Sequence, residues 1–389
     1  MPHTPEGIVA RPGELVVLVG TMKGAFLFRL ESGSERSGGQ SGNGGATGWS
    51  MDGPHFPGEE VYAMAADQRS GRVTFWAAPG NPFFGTTLRR SDDGGATWSS
   101  GEERPVAFPE GSELSLKRIW QIHPGLEERP HEMWLGVEPS CLFRSTDGGD
   151  SWAPVLGFME HEHRPRWTPG AGGLCLHTIL QDPEKPERMG VAFSTGGFYR
   201  TDDGGTTWHP STRGVRAEFL PDKHPEFGQC VHKVVHHPQR PERLYLQNHW
   251  GLYRSDDWGG QWQDIANGVP SDFGFAMAVH PGDPDTAYIV PLEADTFRCT
   301  PEARMRVYRT RDAGGSWHPL TQGLPQEDAY ETVLRDALDT AEGSEEDQAC
   351  VVFGTRSGKI FASSNDGDSW EMIQDGLPPV VCVKAARIR

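Results

Sequence analysis

The sequence predicts an all-β fold, a single seven-bladed β-propeller spanning residues 1–389. Two observations carry that expectation: an octapeptide recurs at a nearly constant interval, and the two ends of the chain supply complementary half-units. The copies are Ser91 to Trp98, Ser145 to Trp152, Thr201 to Trp208, Ser255 to Trp262, Thr310 to Trp317 and Ser363 to Trp370. Each reads Ser/Thr, any residue, Asp, any, Gly, any, a mostly small polar residue, Trp. Asn365 replaces the Asp in the last copy, and Gln261 takes the small polar place in the fourth. A decayed copy with one extra Gly ends at Trp49, so successive motif tryptophans are 49, 54, 56, 54, 55 and 53 residues apart. A period near fifty in a β-patterned chain marks a repeated supersecondary unit, and seven such units suggest a closed ring.

Taken in order, residues 14–52 supply Leu15 to Val19, Ala25 to Leu30 and the decayed motif, but no inner strand. Ser/Gly-rich Glu31 to Gly48 reads as a flexible hairpin tip. The clearest full unit is 174–208. Leu174 to Leu180 forms an inner strand, Asp182-Pro183 a turn, and Arg188 to Ser194 and Gly197 to Thr201 two further strands. The motif hairpin then leads into a fourth strand, Thr207 to Pro210. The same order recurs at 61–100, 116–155, 229–264, 275–320 and 330–373, with Asp339 to Asp347 expected as a solvated acidic loop. Val380 to Ala385 is an inner strand with nothing after it. Pairing of 379–388 with 14–52 would complete the seventh blade and remove the exposed sheet edge.

The octapeptide has the chemistry of a tight hairpin. Its Asp accepts bonds from backbone N–H groups of its own turn, its Gly supplies positive φ, and its Trp is expected to lie against the next sheet. Seven copies make no sense as catalytic groups of one site, so the motif is structural.

The net charge of −18 disfavours nucleic-acid and anionic-membrane partners, which need basic surface. The start of the chain, Met1 to Gly7, lacks the basic and apolar regions of a signal peptide, and no apolar run has membrane length. A cytoplasmic location is the expectation. Six cysteines without framework spacing read as buried free thiols.

The octapeptides resemble the Asp-box, or BNR, repeat of sialidases, xyloglucanase-type glycoside hydrolases, sortilin-like receptors and photosystem-assembly propellers. The whole chain resembles bacterial single-propeller proteins of the sialidase-like, "glycosyl hydrolase" group. The resemblance implies the fold far more strongly than an activity. Sialidases combine an arginine triad, a Tyr/Glu pair and an Asp acid/base with a Phe-Arg-Ile-Pro motif. That tetrapeptide is absent here, so sialidase chemistry is not carried over.

Stacking the inner strands on their closing turns gives a register. The turn position reads Asp67, His123, Asp182, His237, His280 and Asp336, most simply a side-chain cap on a repeated turn. Five residues earlier the ring reads Tyr62, Arg118, His177, His232, Phe275 and Glu331. Polar residues at that level converge on the channel mouth opposite the Asp-boxes. Loops of the same face add Glu138, Asn248, His249, Glu293, Asp295 and Arg356, and the long connectors 154–172 and 210–228 add Arg164 and Trp167. Glu331, Glu138, His177 and His232 are the candidate catalytic groups, because a glycosidase needs paired carboxylates and His titrates near neutrality. Tyr62, Arg118, Arg164, Trp167, Asn248, His249, Glu293 and Asp295 are the candidate ligand contacts.

The function expected is a carbohydrate-active, glycoside hydrolase-like protein, or a related hydrolase or lyase of small molecules. The alternative is a non-catalytic binding or assembly propeller. A metal-dependent enzyme using the channel-mouth histidines ranks third. No cofactor or metal ligand set is assigned from the spacing, and a protein partner is left open beside the small-molecule or carbohydrate ligand.

Overall fold

The computed structural model describes residues 11–30, 48–344 and 348–389. Most of the expected flexible tip, 31–47, and part of the acidic loop, 345–347, lie outside the described residues.

Seven antiparallel sheets make the seven blades. The inner strands are Glu60–Asp67, Arg118–Pro124, Cys175–Gln181, Val231–His237, Gly274–His280 and Leu338–Glu342, numbered here as blades 1 to 6. Blade 7 is composite. The C-terminal strand Val380–Arg387 pairs antiparallel with Leu15–Thr21, followed outward by Gly24–Leu30 and Trp49–His55. Each inner strand also packs against the next, and Val380–Arg387 packs against both blade 6 and blade 1, so the ring is closed as expected. Apolar residues fill the space between facing blades, and burying both faces of every sheet is what holds such a ring together.

The Asp-box hairpins show the expected chemistry. In Ser145 to Trp152, Asp147 Oδ1 accepts from the Ser151 amide at 2.9 Å and from Ser145 Oγ at 2.8 Å. Ser145 Oγ in turn accepts from the Gly149 amide at 2.8 Å. Gly149, at φ +90°, makes the reversal. Asn365 preserves the arrangement with a neutral acceptor, taking the Ser369 amide at 3.0 Å.

The Trp contacts differ from expectation. Trp262 Nε1 donates to Ser211 O at 2.7 Å and Trp317 Nε1 to Ile265 O at 2.8 Å, carbonyls just past the outer strand of the preceding blade. The motif Trp therefore packs backwards, against the preceding blade, and not onto the next sheet.

The capping reading of the turn position is borne out in four blades. The Asp67 and Asp182 carboxylates accept the amides of Arg69 and Glu184, and the Nδ1 atoms of His237 and His280 accept those of Gln239 and Gly282.

Blade 6 corrects the sequence register. Its inner strand is Leu338–Glu342, within the stretch expected to be an acidic loop, and Asp336 precedes it rather than closing it. Charge did not prevent the strand, because ladder pairing with Ala349–Phe353 satisfies its backbone. Asp339 also finds a partner: its Oδ2 accepts the Ala385 amide of the closing strand at 3.0 Å.

Among the described residues no helix is long and apolar enough to cross a membrane.

Candidate functional site

In blades 1 to 5 the inner-strand register shifts near the strand start, between Val61/Met64, Ile119/Gln121, Leu176/Thr178, Val231/Lys233 and Gly274/Met277. A bulge places an extra residue opposite its partner and re-aims a side chain. The shifts contain Tyr62, Trp120, His177, His232 and Phe275. All but His177 line one cavity of about 890 Å³ at the channel end opposite the Asp-boxes. Loops complete the wall: Thr168 to Gly172 and Phe219 from the long connectors, then His249, Trp250, Asp295, Arg298 and Arg356. Arg335 and Asp336 come from the segment leading into blade 6.

The expected residues divide. Tyr62, His232, His249 and Asp295 meet in the cavity. Arg118 does not, because the blade 2 register is displaced by two residues and Trp120 takes the bulge position. Arg118 instead lies in a neighbouring cleft, with Nη2 3.2 Å from Glu60 Oε2 and Nη1 3.5 Å from Glu138 Oε2. Glu138 is buried behind the wall and accepts from Trp120 Nε1 at 3.1 Å, so it orients that ring.

His177 is fully buried between blades. Its Nε2–H donates to Val231 O at 3.0 Å while Nδ1 lies 3.1 Å from Thr178 Oγ1, a packing role rather than a place at the mouth. Glu331 lies off the inner strand altogether. It is buried and held by Lys359 Nζ at 2.8 Å and Ser357 Oγ at 2.5 Å, away from the cavity wall.

The connector residues are structural too. Trp167 packs on Phe158 and Phe193, and Arg164 Nη1 donates to Ser140 O at 2.8 Å. Asn248 is buried, and its Nδ2 donates to Arg216 O and Trp250 O, which fixes the loop carrying His249. Glu293 is exposed and not on the cavity wall.

Sequence reasoning missed Cys230, Arg298 and Arg335. The only local signal was Cys230-x-His232, one residue apart on a strand start and so aimed to one side. Cys230 Sγ lies 3.6 Å from His232 Nε2. His232 Nδ1–H donates to Gly274 O at 2.6 Å, which leaves Nε2 with its lone pair. His249 Nε2 is 3.3 Å from Asp295 Oδ2. Burial, reinforced by Arg335, holds His232 well below the usual imidazole range, so it is neutral. Burial also lowers His249, with Asp295 opposing, and pushes the Cys230 thiol up to about 11.

Cationic groups dominate the rest of the wall. The Arg335 guanidinium lies 5.2 Å from the Trp120 ring centroid and the Arg298 guanidinium 5.3 Å from that of Phe275. Among the described residues, neither these nor Arg356 forms an ion pair with a carboxylate. Asp336 is already engaged, 2.6 Å from Lys233 Nζ.

Fold and repeat together make the protein a seven-bladed β-propeller of the BNR/Asp-box type, and the BNR/Asp-box repeat model matches residues 199–210. The chain is similar to a probable oligoxyloglucan-reducing end-specific xyloglucanase of Neosartorya fischeri, 25% identical over 230 residues, covering 50% of this chain and 26% of that protein. It is also similar to the photosystem II assembly lipoprotein Ycf48 of a Synechococcus species, 28% identical over 124 residues, 32% of this chain and 30% of the relative. Each match thus spans less than a third of the relative's own length. Among solved structures, an ancestral GH74 enzyme superposes with a TM-score of 0.57 at 18% identity, covering 81% of this chain and 38% of that one. At that identity the likeness is one of fold. These relatives match the xyloglucanase-type and photosystem-assembly resemblances that the octapeptides carry.

Proposed function

We propose that the protein is a carbohydrate-active propeller whose cavity takes a small anionic ligand, an acidic sugar or a comparable polyhydroxy acid. One observation carries this reading: Arg298, Arg335 and Arg356 face a single cavity with no carboxylate partner among the described residues, in a chain of net charge −18. Unpaired guanidinium groups beside a partly enclosed cavity are matched by a ligand carboxylate, sulfate or phosphate, which Arg grips in bidentate fashion. Tyr62, Trp120, Trp250 and Phe275 supply the aromatic faces on which sugar rings stack. The similarity to a xyloglucanase supports a glycan as the ligand class, without naming the sugar.

In the catalytic form of this reading, His249 and Asp295 move the proton. They are the acid/base pair at the cavity wall, and Glu138 and Glu331 are both committed to structural bonds. The test is titration calorimetry with a panel of uronic acids and the matching neutral sugars. Acidic sugars should bind preferentially, and Arg335→Met should weaken them at least tenfold while leaving the melting temperature in place. Equal binding of neutral and acidic members, unchanged by R335M, would overturn the proposal.

A further inference from the structure

We propose that Cys230, His232 and His249 form a mononuclear site for a transition-metal ion, with zinc as the first candidate, opening into the cavity. One donor atom from each residue lies within 4.8 Å of the other two. The measured edge between Cys230 Sγ and His232 Nε2 is 3.6 Å. A tetrahedral ion with metal–sulfur and metal–nitrogen bonds of about 2.3 and 2.05 Å requires an edge of about 3.6 Å. That edge is therefore already at liganding length, and the third corner is set by His249, whose donor atom lies within 4.8 Å of the other two.

The surroundings support the same assignment. His232 gives its Nδ1–H to Gly274 O at 2.6 Å, the backbone contact that fixes the tautomer of a liganding imidazole and presents Nε2. Asp295 Oδ2 lies 3.3 Å from His249 Nε2 and plays the corresponding part with His249 Nδ1 as the liganding atom. Phe273 and Phe275 pack against His232, with ring centroids 5.6 and 4.4 Å away, which limits the ring's freedom. One sulfur and two imidazole nitrogens form a donor set for borderline-soft ions, not for magnesium or calcium. Three protein donors with an open side on the cavity match a reactive centre, whereas a closed structural site uses four. On binding, the thiol proton is displaced and the thiolate supplies the negative charge that lets a dication sit beside Arg335.

This inference is independent of the arginine-based ligand reading: the metal alone is the probe, and no sugar need bind. It does replace the His249–Asp295 proton pair of that reading's catalytic form, since a metal-bound imidazole carries no proton to substrate. Full-length protein stripped with chelator is titrated with Zn²⁺, and in parallel with Co²⁺, whose sulfur charge-transfer band reports thiolate ligation. One ion per chain is expected, with that band present. Cys230→Ser should remove the band and weaken Zn²⁺ by more than roughly 100-fold, and Asp295→Asn should weaken it by roughly 10- to 100-fold, as a second-sphere partner does. His249→Asn, at a half-buried loop position, gives a second first-sphere test should C230S misfold. R335M should leave metal uptake intact, which separates failure of the metal site from failure of the ligand reading. Substoichiometric Zn²⁺ in the full-length protein, or full uptake retained by folded C230S and H249N, would overturn the site.

Discussion

Lys233 Nζ lies 2.6 Å from Asp336 Oδ1, a buried ion pair that joins the inner strand of blade 4 to the segment leading into blade 6, across blade 5. Lys384, on the closing strand, reaches the same carboxylate oxygen at 3.8 Å. Burial alone would raise the Asp336 carboxyl, but the two ammonium groups outweigh it and hold the group below the usual range, hence ionised. Three blades are thus tied together at Asp336, which itself lines the cavity.

Breaking that tie should be expensive. Asp336→Asn leaves Lys233 without its carboxylate inside the ring, and the expected loss is about 3–5 kcal/mol. Replacing both partners together, as K233M with D336L, should recover much of it, since paired apolar residues need no solvation. Urea denaturation of K233M, D336L and the K233M/D336L double closes the cycle. Additive losses would mean that the pair is not coupled.

Ring closure rests on Val380–Arg387, in register with Leu15–Thr21 from Leu15↔Arg387 to Thr21↔Val380. Deleting 379–389 removes that inner strand and exposes the edge of blade 7 and the facing sides of blades 6 and 1. Cooperative thermal unfolding should vanish, as read by calorimetry. A truncated chain that melts like the full one would refute closure by this strand.

His177 yields a prediction opposite to its sequence reading. Because its ring is fully buried and bonded to Val231 O, His177→Ala should lower stability by roughly 2–4 kcal/mol, a cavity-forming loss. Ligand binding by the fraction still folded should be unchanged. A stable H177A protein that no longer binds would return His177 to the site.

The Asp-boxes set an acid limit. The Ser151 hydroxyl and amide depress Asp147 to about 2, and at Asp203 the Thr207 hydroxyl and amide outweigh burial to the same level. A carboxyl whose folded value lies below its unfolded value near 3.8 contributes stability that is complete above the unfolded value. That contribution is lost as pH falls through the folded value. Stability should therefore decline between about pH 4 and pH 2. The variant D147N/D203N, copying the natural Asn365, should decline less over that window in urea titrations. Parallel profiles would show that other carboxylates set the limit.

How much of this was written in the chain depends on how local each signal is. The repeat, the number of blades, the hairpin chemistry at Asp147 and the complementary end segments follow from spacing and turn residues, which act over a few neighbours. So does the capping at His237 and His280. The face carrying the candidate site was also legible, because strand order fixes which loops share an end of the channel; His249, Asp295 and Arg356 were found that way.

What only the tertiary structure decided was register and company. The bulges that turn Trp120 inward and leave Arg118 in a side cleft depend on pairing with the neighbouring strand, which no spacing rule encodes. Blade 6 shows the same limit: ladder pairing and Asp339's bond to the closing strand made a strand of an acidic stretch, which displaced Glu331 from the ring. Cys230 and Arg335 looked unremarkable in sequence. They matter because ring closure brings His249 near Cys230 and aims Arg335 at the cavity without a carboxylate partner. A hairpin is specified by its own residues, whereas a cavity wall is specified by residues far apart in sequence whose distances are set only when the last blade closes.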